Sequence, residues 1–96
     1  MKDHSAEHTV KSGEEFIINL ESNPTTGYSW HPAFDEALLE LISHEFISRT
    51  KQTGATGEDH FDFKAIKPGI TTIKMIYKRS WEKKIQKEKE FFICIT

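Results

Sequence analysis

The stretch EDHFDFKAI at residues 58–66 alternates along its length, with Phe61, Phe63 and Ala65 on one side and polar side chains on the other. A repeat of two residues is the pattern of a β-strand that buries one face and exposes the other to solvent. The turn signal KPG at residues 67–69 ends the run. This segment therefore predicts a strand whose aromatic face belongs to a core.

Comparable strand patterns recur through the rest of the chain. Asp35 can begin a helical turn, but the apolar content of the residues after it favours one short turn followed by a strand. Further strands are predicted at His8–Val10, at Glu15–Glu21, from Tyr28 to an early end at Pro32, at Leu39–Ile47, at residues 72–78 and at Glu90–Thr96. Seven short strands with Gly and Pro turns and no long helix indicate an all-β fold, an immunoglobulin-like antiparallel β-sandwich of about seven strands.

Length and composition limit the classes of protein that fit. At 96 residues the chain is expected to be a single domain, residues 1–96, with one two-layer core. The net charge of −2 argues against a general polyanion binder, although the stretch from Lys78 to Lys89 is locally basic. The single cysteine, Cys94, allows no internal disulfide. Its place in a predicted apolar strand favours a small buried residue over a nucleophile.

The sequence also lacks targeting signals. No apolar segment resembles a signal peptide, and none is long enough to span a bilayer. We expect a soluble protein, cytoplasmic if the chain is full length and secreted or periplasmic if a leader has been removed.

Residues that could support catalysis or bind a metal are scattered. The carboxylates of Glu58, Asp59 and Asp62 are interpreted as solubilising charges rather than as an acid and base pair. The histidines lie in the terminus or on different predicted strands, with no paired cysteine or acidic motif, so no metal and no cofactor is expected. Nothing in the sequence predicts an enzyme. The histidines are His4, His8, His31, His44 and His60.

The predicted topology brings three unusual loops together. If seven strands alternate in direction, the connections after the second, fourth and sixth strands lie at one end of the sandwich. These connections are Asn23–Gly27, Thr53–Gly57 and the segment that starts at Arg79. Loops on a rigid scaffold commonly carry function, so their convergence predicts a composite binding surface.

The first of these loops belongs to the stretch NPTTGYSW at residues 23–30. Pro24 fixes its own φ angle, and Gly27 can take the positive φ that returns the chain to a strand. We therefore expect a rigid tip that carries the hydroxyls of Thr25 and Thr26 and loses little entropy on docking. Taken alone, the same residues are typical of an ordinary turn between strands.

The other two loops have different compositions. The sequence GATG at residues 54–57 has the glycines of a phosphate-binding loop, but acidic residues and a strand follow it instead of a helix. Its glycines suit close approach to another protein's surface. Trp81, two residues after Arg79, is either an exposed interface anchor or a residue folded back onto the core.

Together, the Asn-Pro-Thr-Thr-Gly-aromatic-x-Trp segment, the Gly-x-x-Gly loop and the Arg-x-Trp loop resemble the chagasin family of cysteine-protease inhibitors in order and spacing. The resemblance covers about Glu15 to Thr96. It implies an immunoglobulin-like sandwich whose three loops plug the active-site cleft of papain-like cysteine proteases, reversibly and without covalent chemistry. The expected inhibitor is a monomer that needs neither nucleic acid nor a membrane. The protease-binding residues implied are Asn23, Pro24, Thr25, Thr26, Gly27, Tyr28, Gly54, Ala55, Thr56, Gly57, Arg79, Ser80 and Trp81.

The resemblance also implies a role for each loop. Thr25 and Thr26 would lie nearest the catalytic cysteine and histidine of the protease. The 54–57 backbone would lie along one wall of the cleft, with Arg79 and Trp81 on the other wall. Ser80 departs from the family's usual proline and is expected to leave the third loop more mobile.

Two alternative functions draw on the same residues. One is a recognition sandwich that uses the same loops to bind a different protein or a glycan. The other is a nucleic-acid module built on Trp81 and the lysines Lys83, Lys84 and Lys87, which the acidic remainder of the chain disfavours.

Overall fold

The computed structural model describes residues 2–23, 26–48 and 57–96, with side chains described from Glu7 onward. Seven β-strands run through these ranges. They are β1 Lys2–Val10, β2 Glu15–Ser22, β3 Tyr28–Ala33, β4 Leu39–Ser48, β5 Gly57–Ala65, β6 Gly69–Arg79 and β7 Lys87–Ile95. Within the described ranges no helix is long and apolar enough to cross a membrane.

The strands form two sheets, and the predicted all-β sandwich is confirmed. One sheet has four strands in the order β1-β7-β6-β3, and the other has three in the order β2-β5-β4. Strands β2, β4 and β5 pair antiparallel, as do β3, β6 and β7. Strands β1 and β7 pair parallel. Because the seven strands alternate in direction, β1 and β7 run the same way. Any pair that these two strands form must therefore be parallel.

The core lies between the facing apolar sides of the two sheets. Phe63 at its centre has no exposed surface. Its ring centre lies 5.8 Å from that of Phe16 and 5.1 Å from that of Phe34, which meets it edge-on. The alternation predicted for Phe61, Phe63 and Ala65 is the observed one. The buried cluster comprises Phe16, Ile18, Leu20, Trp30, Leu39, Phe61, Phe63, Ala65, Ile73, Met75, Tyr77, Phe91, Ile93 and Ile95.

Trp30 joins the two sheets by a hydrogen bond as well as by packing. Its side chain is buried, and its ring centre lies 4.7 Å from that of Tyr77 within the four-stranded sheet. Its indole Nε1–H donates to the main-chain oxygen of Glu21 on β2, at 2.9 Å. The polar atom of this buried tryptophan is thereby satisfied, and the end of β2 is tied to the opposite sheet.

Most of the strands are longer than predicted; β6, for example, covers Gly69–Arg79 instead of residues 72–78. β1 begins at Lys2 and not at His8. The residues before His8 have no alternating apolar pattern that would predict a strand, but they pair with β7, starting with Lys2 opposite Glu88. β3 continues through Pro32 to Ala33. In the described sheet β3 is an edge strand that pairs with β6 alone, a position where proline costs no ladder hydrogen bond on its free side. The short turn before β4 is as predicted, with the main-chain oxygen of Asp35 accepting from two amides.

Cys94 and Asp59 do not face the way the sequence interpretation expected. Cys94 is half-buried and lies on the outer side of its sheet, between the buried Ile93 and Ile95. Asp59 is buried on the inner side of β5, and its Oδ1 lies 2.8 Å from Nε2 of His44. The interpretation of Asp59 as a solubilising charge is therefore wrong. This carboxylate has a structural role, and its hydrogen bond with His44 offsets the free-energy cost of burying it.

We expect Phe63→Ala to lower the free energy of unfolding by about 3–5 kcal/mol, because the site is enclosed and a cavity remains after truncation. A urea titration measures the change. Phe92→Ala is the matched control, since Phe92 is 38% exposed on the outer face. Equal losses for the two variants would contradict this placement of the core.

The carboxylate of Glu15 lies beside a second carboxylate, that of Asp62. A shared hydrogen bond with Asp62, followed by the repulsion between the two carboxylates, raises the pKa of Glu15 above its ordinary value. Folding is therefore favoured while Glu15 is protonated, and that contribution is lost as the pH rises through its pKa in the folded state. We expect Glu15→Gln to raise Tm slightly at neutral pH and to leave it unchanged at about pH 3.

Melting curves at the two pH values test the prediction. Glu36→Gln, an exposed turn position, removes the same charge without altering the Glu15 contact. A rise in Tm for Glu36→Gln as large as that for Glu15→Gln would show that net charge, and not the carboxylate pair, is responsible.

Candidate functional site: one end of the sandwich

The three predicted loops leave strands that end together. In the three-stranded sheet, Gly57 pairs with both Ser22 and Ser48, which places the end of β2 and both ends of the β4–β5 connection side by side. In the other sheet Tyr28 pairs with Arg79, where β3 begins and β6 ends. We call this end of the sandwich the loop pole. Its described site residues are Asn23, Thr26, Gly27, Tyr28, Gly57, Arg79, Ser80 and Trp81.

The remaining predicted site residues lie outside the described residues. They are Pro24 and Thr25 in the first loop and Gly54, Ala55 and Thr56 in the second. The structure thus brings parts of the first and third loops together. The end of β4 and the start of β5, which the second loop connects, lie at the same end of the sandwich.

Thr26 holds the first turn by its own hydroxyl. Its Oγ1–H donates to the main-chain oxygen of Asn23 at 2.8 Å, and Oγ1 of Thr26 accepts from the amide of Tyr28 at 3.4 Å. The Thr26 amide also donates to the Asn23 oxygen, at 3.3 Å. Gly27 follows with a φ of 83°, a conformation that favours glycine. The Thr26 side chain is therefore occupied within the turn, which gives it a positioning role.

The ring of Trp81 lies over Gly27. A Cβ atom added to Gly27 would be 2.9 Å from Cη2 of this tryptophan, so a side chain at this position would force the ring to shift. Trp81 is nevertheless 72% exposed. Of the two interpretations, the structure favours an exposed side chain seated on the first loop over a core residue. The first and third loops are in direct contact through this pair.

Arg79 is held in a fixed position by three neighbours. Its guanidinium carbon lies 4.7 Å from the ring centre of Tyr28 and 6.0 Å from that of Trp81. Its Nη1 donates to Oε1 of Glu82 at 3.0 Å. That hydrogen bond, and then the electrostatic effect of Tyr28, raises the pKa of Arg79 above its ordinary value. The guanidinium stays charged while it packs on aromatic faces, a favourable cation–π arrangement.

Glu82 also constrains the turn that contains Ser80, the position at which the resemblance described above implies a proline. The amide of Glu82 donates to the main-chain oxygen of Arg79 at 3.1 Å. Its own main-chain oxygen accepts from Nζ of Lys78 at 3.2 Å. These bonds restrain the backbone where the proline would have done so.

Gly57 is the buried first residue of β5, and not part of an exposed loop. A Cβ atom there would collide with the ring of Phe46 and with the main-chain oxygen of Ile47. Gly57 therefore lets the end of β4 pack closely on β5. Sequence analysis missed Phe46, although its aromatic side chain next to a glycine-ended loop is a signal that could have identified it.

The chemistry of the loop pole is that of a binding surface. In the part of the chain that the structure describes, no group of three or more His, Cys, Asp or Glu residues could hold a metal ion. The features that converge are aromatic rings, a charged guanidinium and turns fixed by hydrogen bonds. Such groups form stable contacts with another protein without making or breaking bonds.

Comparison with known proteins agrees with this geometry. The chain is 31% identical over 85 residues to Amoebiasin-2 of Entamoeba histolytica, covering 85% of this chain and 68% of that protein. It is 32% identical over 79 residues to Chagasin of Trypanosoma cruzi, covering 76% and 72%.

Solved structures show the same fold. A cysteine protease inhibitor, EhICP2, from Entamoeba histolytica has a TM-score of 0.86 and 26% identity, covering 98% of this chain and 88% of that one. The structure of PbICP-C in complex with falcipain-2 has a TM-score of 0.68 and 18% identity, covering 100% and 90%. The sequence profile described as Chagasin family peptidase inhibitor I42 matches residues 9–95. Because that match spans nearly the whole sandwich, the chain belongs to the chagasin family of peptidase inhibitors.

Proposed function

We propose that this chagasin-family cysteine-protease inhibitor blocks the active-site cleft of papain-like enzymes reversibly, by inserting the three loops of the loop pole. The observation that supports the proposal most directly is the packing of Trp81 over Gly27. This contact joins the first and third loops into one surface before any enzyme is present. Occlusion requires such a preformed shape, because ordering loops during binding would weaken the complex.

The inhibitor would act without chemistry of its own. A rigid sandwich presents the loops, the cleft is filled, and no peptide bond of the inhibitor needs to lie in a reactive position. One copy of the chain is sufficient for this mode of action. An interface of ordinary size, about 1,600 Å² in total, supports tight binding when both surfaces are already ordered.

Each loop has its own proposed contribution. We assign the tip of the first loop, Pro24 and Thr25, to the region of the catalytic cysteine and histidine, with Asn23, Thr26 and Gly27 fixing the approach of that tip. The 54–57 backbone would lie along one wall of the cleft. Arg79, Ser80 and Trp81 would face the other wall. Tyr28 would support this group through the contact of its ring with the guanidinium of Arg79.

A titration tests the function directly. Papain with a fluorogenic peptide substrate would lose activity as the protein is added, and activity would return on dilution. Mass spectrometry should then recover the inhibitor chain intact. Trypsin, a serine protease, is the control and should keep its activity. Full papain activity at micromolar protein would overturn the proposal.

We expect Thr26→Val to weaken papain inhibition about tenfold, which corresponds to roughly 1.4 kcal/mol. Valine keeps the shape of the side chain but can neither donate to Asn23 nor accept from Tyr28, so the turn loosens. Thr26→Ser keeps the hydroxyl and should inhibit like the parent. Equal inhibition constants for Thr26→Val and the parent would show that this hydroxyl has no positioning role.

We expect Trp81→Ala to cost about 2 kcal/mol or more of binding free energy, as truncation of an aromatic anchor does. Its Tm should change little, because the side chain is 72% exposed. Ile70→Ala is the control, since Ile70 is 82% exposed at the start of β6, away from the loop pole. A lower Tm for Trp81→Ala with unchanged inhibition would place Trp81 in the core.

A further inference from the structure

The segment from Lys78 to Lys87 is strongly basic. It contains five cationic side chains and one carboxylate, whereas the whole chain has a net charge of −2. It runs from the end of β6 through the third loop to the first residue of β7, so its charges lie at the loop pole. The protein is therefore positive at this place and acidic over the remainder of the chain.

Three lysines of this segment have no acidic partner. Lys83, Lys84 and Lys87 are exposed. Among the residues that the structure describes, no carboxylate lies within ion-pair distance of any of them. Nζ of Lys87 lies 5.7 Å from the ring centre of Tyr77. Since no contact of this kind holds Lys83 or Lys84 in that part of the chain, the fold does not depend on the charges of these two side chains.

The neighbouring carboxylates are offset by other cations. Oε1 of Glu82 lies 3.0 Å from Nη1 of Arg79. Oε1 of Glu88 lies 3.3 Å from Nζ of Lys74 on the adjacent strand. Each of these ion pairs is neutral as a unit, so the three lysines leave the third loop with a net positive charge.

The other side of the loop pole carries the opposite charge. Glu21 and Glu58 are cross-strand partners on β2 and β5, next to the pair that Ser22 forms with Gly57. They belong to the outer face of the three-stranded sheet, because the residues after Glu21 and before Glu58 are buried. A separation of charge across a docking surface attracts a complementary partner and also orients its approach.

We propose that Lys83, Lys84 and Lys87 accelerate binding to papain-like enzymes that carry carboxylates beside the cleft, on the wall that receives the third loop. This inference rests on the proposed function. Exposed lysines at the rim of an interface act through their electric field and need no fixed geometry, so the effect falls on the association rate. Salt suppresses it, because the Debye length shortens from about 10 Å at 0.1 M to about 3 Å at 1 M ionic strength.

Chemically modified papain tests the proposal. Succinylation replaces surface ammonium groups of papain by carboxylates, and acetylation of the same groups leaves them neutral. At about 0.1 M ionic strength the parent should associate with succinylated papain about tenfold faster than with acetylated papain. The double variant Lys83→Gln/Lys84→Gln should associate with succinylated papain about threefold more slowly than the parent. At about 1 M salt the two rates should become equal.

The control variant is Lys11→Gln/Lys67→Gln. It removes the same charge from two exposed lysines at the opposite end of the sandwich, one after the end of β1 and one in the turn before β6. It should associate like the parent, because that end lies beyond the screening length from the third loop. Circular dichroism and Tm for each variant confirm that the sandwich is folded.

The outcomes separate this inference from the proposed function. If the parent inhibits papain and Lys83→Gln/Lys84→Gln associates equally fast, the inference alone is overturned. An equal loss of rate in the control variant, or a change confined to the dissociation rate, would also overturn it. Labelled single-stranded DNA is the competing partner. Binding of DNA that the Lys83→Gln/Lys84→Gln variant loses, with an unchanged association rate for the enzyme, would assign the lysines to nucleic acid. If the parent inhibits no form of papain, the proposed function fails as well.

Discussion

The position of every loop depends on the burial of two apolar sheet faces against each other. Phe16, Phe61 and Phe63 on one sheet meet Ile73 and Met75 on the other with almost no exposed surface. This burial is the main source of stability in a chain with no disulfide. Because the sheets cannot slide without exposing these rings, the strand ends keep fixed positions. The loop pole is rigid for that reason, before any local contact is considered.

Local contacts at the loop pole restrain the loops further. Trp81 covers Gly27, and Phe46 covers Gly57. In both cases a glycine removes the side chain that would have held a neighbouring ring away. The hydrogen bond from Trp30 to the Glu21 oxygen ties the two sheets together close to the same end. A surface built in this way loses little conformational freedom on binding, which favours affinity without a large interface.

Much of this arrangement was predictable, because alternation reports which face of a strand is buried. β2 and β5 follow this alternation along their whole length, and β6 follows it from Ile73 to Tyr77. The same parity would have placed Asp59 inside with Phe61, and Cys94 outside, but the chemical character of each residue was given more weight than its position. The extra length of β1 had no local signal, since it depends on pairing with β7, which is distant in sequence. The close approach of Phe46 to Gly57 likewise requires the register of β4 against β5.

The parallel pairing of β1 with β7 fixes where the two ends of the described chain emerge. Lys2 lies opposite Glu88, close to where β7 starts beside the loops, whereas Val10 lies opposite Ile95 at the far end. An affinity tag or fusion partner joined ahead of Lys2 would lie beside the loop pole, while one joined after Thr96 would lie at the opposite end of the sandwich. Attachment through the carboxyl terminus is therefore the orientation that leaves an immobilised or fused inhibitor free to engage an enzyme.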